Sequence, residues 1–339
     1  MPPPHNPVLA GMKALVVGVA NEYSIAYGCA NAFRSLGAEL AITYLNEKAR
    51  PHVEPLAKAL DAPIFMPLDV EQPGQLEAVF DAIAKQWGRL DILVHSIAFA
   101  PKADLQGGLL DCSAEGFQRA MDVSCHSLVR MARLATPLMT EGGTMIAMSY
   151  LGAQKVVPNY NVMGPVKAAL EAVCRYLAYE LGPKGIRVHP VSPGPLKTRA
   201  ASGLKDFDLL LNEAASRAPV GELVDIDDVG FACAYLATPY ARRLTGQTLF
   251  VDGGAVTLTD AATDPGSGVR SVSYYYCAGS TGACTSGTWT LIGSSTTPTG
   301  NFPVTSNAPL AAADGPYRIV AVGTDLQDNV SGPSAATVV

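Results

Sequence analysis

The stretch "ALVVGVANEYSIAYG", Ala14 to Gly28, carries the transition that decides the fold. Ala14–Val17 is a short apolar run of the kind that forms a buried strand. Gly18 stands at the turn, and Ser24 and Ile25 lead into a helix that contains Gly28. The N–H groups of a helix N-terminus point outward, and glycine lets a backbone come close, so phosphate fits such a turn. The spacing is not G-x-G-x-x-G, and taken alone the pattern also describes an ordinary tight turn.

Outward from that turn, apolar runs recur at Leu40–Tyr44, Ile64–Val70, Ile92–Ala98, Thr144–Ser149, Arg187–Val191 and Thr248–Val251, with longer helical patterns between them. Near-continuous Val, Ile, Leu and Ala suits strands covered by helices on both faces. The expectation is an α/β fold, a Rossmann-like doubly wound parallel sheet of seven strands, with ligands at the carboxyl ends of the strands. Asp69-Val70 closes the third run, where a carboxylate suits an adenine amino group, and His95-Ser96-Ile97-Ala98 closes the fourth, beside the expected nicotinamide path. The second run ends in Tyr44-Leu45-Asn46, with no acidic residue for ribose hydroxyls before Glu47. Lys48 and Arg50 stand nearby for a 2′-phosphate, but form no clear phosphate-binding pair, so NADH is expected ahead of NADPH.

With 339 residues, 48% of them hydrophobic, the chain has the means to bury a large core, and its length suggests two domains. A net charge of −6 offers no footprint for nucleic acid, and no such partner is expected. The apolar stretch Ala14–Ala20 is too short to cross a bilayer, and the start "MPPPHNPVLAG" lacks a basic region, so a cytoplasmic protein without membrane contact is expected. After Gly254 the texture changes to Gly, Ser, Thr and Pro between short alternating runs such as "VRSVSYYYC" and "YRIVAVGTD". The expected domains are 1–259 and, as a small all-β sandwich, 260–339. Cys29, Cys112, Cys125, Cys174 and Cys233 are scattered singly, as core residues are. Cys277 and Cys284 lie close together and suggest a disulfide of an exported module. No metal site is expected.

The stretch "NYNVMGPVK" places Tyr160 seven residues before Lys167. Seven residues turn an α-helix by about 700°, close to two turns, which would put both groups on one face. An ammonium so placed would lower the phenol's pKa and reach a cofactor ribose. Chance is a competitor, since Tyr44 and Lys48 fit a four-residue pattern and are expected in a solvated turn.

With these pieces in place, residues 11–256 resemble the enoyl-acyl carrier protein reductases of bacterial fatty-acid synthesis, within the short-chain dehydrogenase superfamily. The matching stretches are "GVANEYSIAYG", "LDV", "VHSIAFAP", "SYLGAQKVVPNYNVMGPVKAALEA", "VSPGPLKTRAASGLKDF" and "LTGQTLFVDGG". A general short-chain dehydrogenase would show Tyr-x3-Lys and an "NAG" after the fourth strand. The resemblance implies hydride transfer from NADH to the β-carbon of a trans-2-enoyl thioester. It implies Tyr160 as the group that stabilises the enolate, Lys167 on the ribose hydroxyls, and Tyr150 beside the substrate carbonyl. Gly18, Ser24, Ile25, Leu45, Asp69, Val70, Ser96, Ile97, Lys167, Leu196 and Thr198 would bind the cofactor. Ala100, Tyr150, Met163 and Phe207 would line the acyl site, with Ala200 to Leu211 as its mobile lid. Acyl carrier protein would be the partner, met by Lys197, Arg199 and Lys205 although Asp206 and Asp208 dilute that patch, and the enzyme would be a homotetramer.

Two features depart from the family. Pro165 lies between the pair and lacks a backbone donor, so regular helix is expected to start close to it. The tail has no counterpart in the family and resembles a bacterial Ig-like surface repeat. A carbonyl-reducing short-chain dehydrogenase and a surface-binding protein working through its tail are the alternative functions.

Overall fold

The structure is a computed structural model. It describes residues 7–196, 198, 211, 218, 220–254, 257–258, 269–278, 290–295, 304–305, 317–325 and 337–338. The chain divides into two compact units, Met1–Asn212 with Leu223–Asp252, and Glu213–Glu222 with Gly253–Val339.

The first unit holds seven parallel strands: β1 (Lys13–Val17), β2 (Glu39–Tyr44), β3 (Ile64–Pro67), β4 (Ile92–His95), β5 (Gly143–Met148), β6 (Ile186–Pro193) and β7 (Leu249–Val251). Their order is β3-β2-β1-β4-β5-β6-β7, the doubly wound arrangement expected from the sequence. The order reverses between β1 and β4, the switch point at whose carboxyl ends sheets of this kind bind their ligands. Val17 pairs with His95 at that end, and Ser96 N–H still donates to Val17 O at 3.0 Å. Two apolar layers cover the sheet. Leu15, Leu93 and Met145 face one, and Val16, Ile92 and Ile146 face the other, all without solvent exposure. This alternation of two buried faces is why the strands read as unbroken apolar runs.

The helices that matter to the site are α1 (Ile25–Ser35), α2 (Arg50–Ala59), α3 (Gln75–Trp87), α4 (Lys102–Gln106), α5 (Ala114–Met121), α6 (Ser127–Ala135), α7 (Met163–Leu181) and α8 (Ile226–Ala237). Helices α5 and α6 are joined by a wider, π-helical segment over Asp122–His126. Gly28 in α1 and Gly230 in α8 let those two helices touch backbone to backbone. A Cβ on Gly28 would lie 2.1 Å from Ile226 O, and one on Gly230 2.3 Å from Gly28 O. Asp225 caps α8 by accepting from Asp227 N and Asp228 N, and Asp228 accepts in return from Asp225 N, a reciprocal cap.

Three expectations are corrected. The third strand ends at Pro67 rather than Val70, because Asp69 opens a turn in which its Oδ1 accepts from Glu71 N and its carbonyl from Gln72 N, each at 3.0 Å. The fourth ends at His95 rather than Ala98, which leaves Ser96 and Ile97 in the loop beyond it. Tyr44 is buried rather than solvated: its ring lies 4.6 Å from that of Phe65, and its hydroxyl donates to Glu47 Oε1 at 3.2 Å.

In the second unit, β8 (Thr257–Leu258) pairs with β11 (Val304–Thr305), and a separate antiparallel sheet runs β10-β9-β12-β13. Those strands are β9 (Val269–Ala278), β10 (Thr290–Ser295), β12 (Tyr317–Asp325) and β13 (Thr337–Val338). Val272 and Tyr274 of β9 are buried while Ser273 between them is not, the two-residue period of a sheet with one covered face. Cys284 and the side chain of Cys277 fall outside the described residues, as does the expected bridge between them.

Candidate active site

Gly18 follows β1 at φ +110°, a conformation open to glycine, and a Cβ there would lie 2.0 Å from Ser96 O. The loops leaving β1 and β4 therefore pass in contact at the point where the strand order reverses. Ser24 precedes α1, and its hydroxyl oxygen accepts from Ala20 N and Asn21 N at 3.0 Å each while donating to Asn21 Oδ1. Its hydroxyl holds the turn and its carbonyl accepts from Tyr27 N and Gly28 N, so the N–H groups of Ile25 and Ala26 at the head of α1 are what the turn offers an anion. This glycine cradle and open helix end fit the pyrophosphate of a dinucleotide. Ile25, Asp69 and Thr198 are half-buried, Val70 and Leu196 are buried, and Leu45 is exposed at the end of β2. These positions follow the carboxyl ends of β1, β2, β3 and β6.

At the end of β2, Arg50 is already engaged. Its guanidinium pairs with Glu47 at 3.5 Å and Glu54 at 3.3 Å, and lies 5.9 Å from the centre of the Tyr44 ring.

The seven-residue spacing does not place Tyr160 on a helix. Regular helix begins at Met163, with Pro165 in its first turn, where the missing N–H goes unneeded. Tyr160 precedes it in a turn flanked by Asn159 at φ +63° and Asn161 at φ +43°, both left-handed conformations that asparagine tolerates. Asn161 Nδ2 donates to Leu105 O at 2.8 Å and ties the turn to α4.

Tyr160 is instead located by the loop after β5. Its ring centroid lies 4.8 Å from that of Tyr150 with the planes at 60°, an edge-on contact. A Cβ on Gly152 would lie 2.3 Å from Tyr160 Cδ1, so the ring rests against bare backbone. The two phenols are half-buried, and Met163 at the head of α7 is buried. Burial pushes the Tyr150 phenol up to about 12, and burial followed by Tyr150 pushes the Tyr160 phenol higher still. The expected lowering of the Tyr160 pKa by Lys167 is therefore corrected: burial dominates, and both phenols keep their protons at neutral pH.

Lys167 is buried on α7, and its Nζ donates to Met148 O at 2.6 Å. Burial pulls its pKa down to about 8, with Cys125, Cys174 and Glu171 pulling it partly back. His95 is buried, and its Nε2 lies 2.7 Å from Ser127 Oγ, which donates to Val123 O. Burial, and then the charge of Lys167, lowers His95 to about 3, so it is neutral.

Several residues near the site escaped the sequence reading. Ser124, on the π-helical segment, accepts from Phe99 N at 2.9 Å and donates to Phe99 O at 3.0 Å, holding the loop that continues to half-buried Ala100. Glu171 is buried one turn beyond Lys167 and binds Ser149 and Gln154. Its signal was available: Lys167 and Glu171 interrupt the apolar stripe of Val166, Leu170, Cys174 and Leu181 along α7. Phe207, Lys197, Arg199, Lys205, Asp206, Asp208 and the segment Ala200 to Leu210 lie outside the described residues. Among the described residues no cluster of His, Cys, Asp and Glu suits a metal ion, and no helix is long and apolar enough to cross a membrane.

A family profile described as enoyl-(acyl carrier protein) reductase matches residues 18–256. The chain is 43% identical over 249 residues to enoyl-acyl-carrier-protein reductase (NADH) 2 of Rhizobium meliloti, covering 74% of this chain and 93% of the relative. It is 42% identical over 247 residues to the NADH enzyme FabI of Escherichia coli, covering 73% and 94%. The crystal structure of the NADH reductase from Aquifex aeolicus superposes with a TM-score of 0.71 at 44% identity, covering 73% of this chain and 97% of that one.

Proposed function

Since the chain belongs to the enoyl-acyl-carrier-protein reductase family, we infer that the residues gathered around Tyr160 are its reaction site. The protein is an NADH-dependent reductase of enoyl-acyl carrier protein thioesters in fatty-acid elongation. NADH, when bound, supplies the hydride that adds to the β-carbon of the trans-2-enoyl thioester. The chain's own residues manage the charge that this addition places on the thioester oxygen.

Tyr160 donates a hydrogen bond to that oxygen. Its phenol is suited to the task because burial keeps it protonated, so it offers a donor and never a competing anion. Tyr150, also held protonated, stands beside it at the acyl carbonyl. Lys167 holds the ribose hydroxyls from its anchor on Met148 O and keeps positive charge within the site. Gly18, the N-terminus of α1 around Ser24 and Ile25, and Leu196 with Thr198 hold the phosphates and the nicotinamide end. Leu45, Asp69 and Val70 flank the adenosine, and Ser96 and Ile97 border the path between. Ala100 and Met163 line the acyl chain.

The observation that carries this assignment is the seating of Tyr160 against Tyr150 and Gly152, in a chain whose next helix carries a buried lysine bonded to Met148 O. We further propose a cytoplasmic homotetramer. The exposed Tyr176 and Tyr179 on α7, and Phe231 and Tyr235 on α8, are aromatic surfaces suited to cover by other copies of the chain. Assays of NADH and NADPH oxidation with crotonyl and longer enoyl thioesters, run beside ketoacyl thioesters, test the function. Turnover of enoyl substrates with NADH is expected; turnover of ketoacyl substrates alone would assign the carbonyl-reducing chemistry instead.

A further inference from the structure

A carboxyl side chain left 3% exposed is costly to bury unless its oxygens are bonded. Glu171 meets that requirement in a particular way. One oxygen accepts from Ser149 Oγ at 2.7 Å and the other from Gln154 Nε2 at 3.0 Å. These two donors bracket Tyr150, and the residues between them form the short turn over Leu151–Ala153 that contains Gly152. One helical turn earlier, Lys167 donates to Met148 O. Helix α7 therefore grips the chain at three points, 148, 149 and 154. The loop between the grips carries one tyrosine and supports the other.

We propose that Glu171 is a positioning residue for the reduction: by holding Ser149 and Gln154 it fixes the turn that sets Tyr150 and Gly152 against Tyr160. The inference rests on the assignment of Tyr160 and Tyr150 to the reaction site. Glu171 itself acts through the turn. Lys167, not Glu171, has the ribose role, so cofactor binding should be spared when Glu171 is changed.

Glu171→Gln keeps the shape but removes the charge, and because the Gln154 amide can turn over to accept from the new amide, the variant exchanges two charge-assisted bonds for weaker neutral ones. Gln154→Glu in the same chain restores one charge-assisted bond with donor and acceptor exchanged. Steady-state rates with crotonyl thioester and NADH on the full chain should show kcat for Glu171→Gln reduced by ~10-fold or more, as loss of preorganised geometry does. KM for NADH should stay within ~2-fold, since a loss confined to orientation falls on kcat. The exchanged pair should recover most of the lost kcat.

Hydrogen exchange supplies a readout apart from turnover. The amides of Ala153, Gln154 and Lys155 are bonded within the turn to Tyr150 O and Leu151 O. They should exchange faster in Glu171→Gln and return toward wild type in the exchanged pair. Unchanged exchange together with unchanged kcat, or an exchanged pair that recovers neither, overturns the proposal. Gln154→Ala, at an exposed position, covers the case in which Glu171→Gln does not fold: it too should lower kcat and speed exchange, and wild-type values for both overturn the proposal. A wild-type protein that does not reduce enoyl thioesters would overturn the site assignment instead, while the exchange results would still decide whether Glu171 holds the turn.

Discussion

The ring of Tyr160 meets that of Tyr150 edge-on, at 4.8 Å between centroids, and it also rests on the bare backbone at Gly152. The phenol is thus aimed by a neighbouring loop, because Tyr160 itself lies outside α7.

Gly152→Ala should therefore impair catalysis without replacing any reacting group. A methyl group 2.3 Å from the Tyr160 ring cannot be accommodated in place, so ring or turn must move. We expect kcat to fall by ~10² with little change in the KM for NADH, on the scale that small displacements of catalytic groups produce. Wild-type kcat in that variant would show that the ring contact is dispensable.

Lys167 is expected to set the alkaline limit of activity. Its folded pKa of about 8 lies below the ordinary lysine value, so raising the pH through that point removes the charge well before an exposed lysine would lose it. The groups that surround it are Cys125, Cys174, Glu171 and neutral His95, and burial outweighs them. The profile of kcat/KM, which reports the free enzyme, should fall above pH about 8. Lys167→Arg should push that fall to higher pH while raising the KM for NADH. A flat profile through that region would remove Lys167 from the charge balance of the site.

The cofactor preference follows from how Arg50 is occupied. Glu47 and Glu54 both pair with it, so a 2′-phosphate arriving at the end of β2 finds its counter-charge already neutralised. NADH should show the higher kcat/KM. Replacing both acids with glutamine should raise kcat/KM for NADPH by about 30-fold at most, since each of the two exposed pairs is worth no more than ~1 kcal/mol. An unchanged NADPH rate would mean that Arg50 does not face the ribose.

Much of this was legible in the sequence because a parallel sheet buried on both faces must read as unbroken apolar runs, and all seven runs became strands. The ends were less legible. Asp69 belongs to a turn that its own carboxylate closes, a local bond that composition does not reveal. The pair of Tyr160 and Lys167 was visible as a motif, but its geometry was not, because Asn159 and Asn161 adopt left-handed conformations that interrupt the periodicity on which a shared helix face depends. Gly28 was read with the phosphate turn, whereas its close neighbour is Ile226, nearly two hundred positions away and beyond the reach of any local pattern.

That last contact carries its own expectation. Gly28→Ala would place a methyl group 2.1 Å from Ile226 O, and backbone on both sides leaves little room to adjust. Overpacking of this kind costs about 1–3 kcal/mol. Denaturant unfolding should show a lower midpoint, and an unchanged midpoint would mean that α1 and α8 separate easily.

The seven-stranded sheet and both of its apolar layers are built from residues up to Val251. We therefore propose that ending the chain after Thr259 leaves an active reductase, because the strands removed belong to other sheets. Loss of NADH binding or aggregation of the shortened protein would make the C-terminal unit part of the enzyme.

The most direct measurement follows the hydride. NADH deuterated at its hydride position, mixed with protein and crotonyl thioester, should yield butyryl thioester carrying one deuterium on the β-carbon. Tyr160→Phe should form the same product about 10²-fold more slowly, the scale expected when a donor to a developing oxyanion is lost. Recovery of unlabelled crotonyl thioester from the wild-type reaction, in a preparation that converts acetoacetyl thioester to a deuterated 3-hydroxy product, would contradict the account.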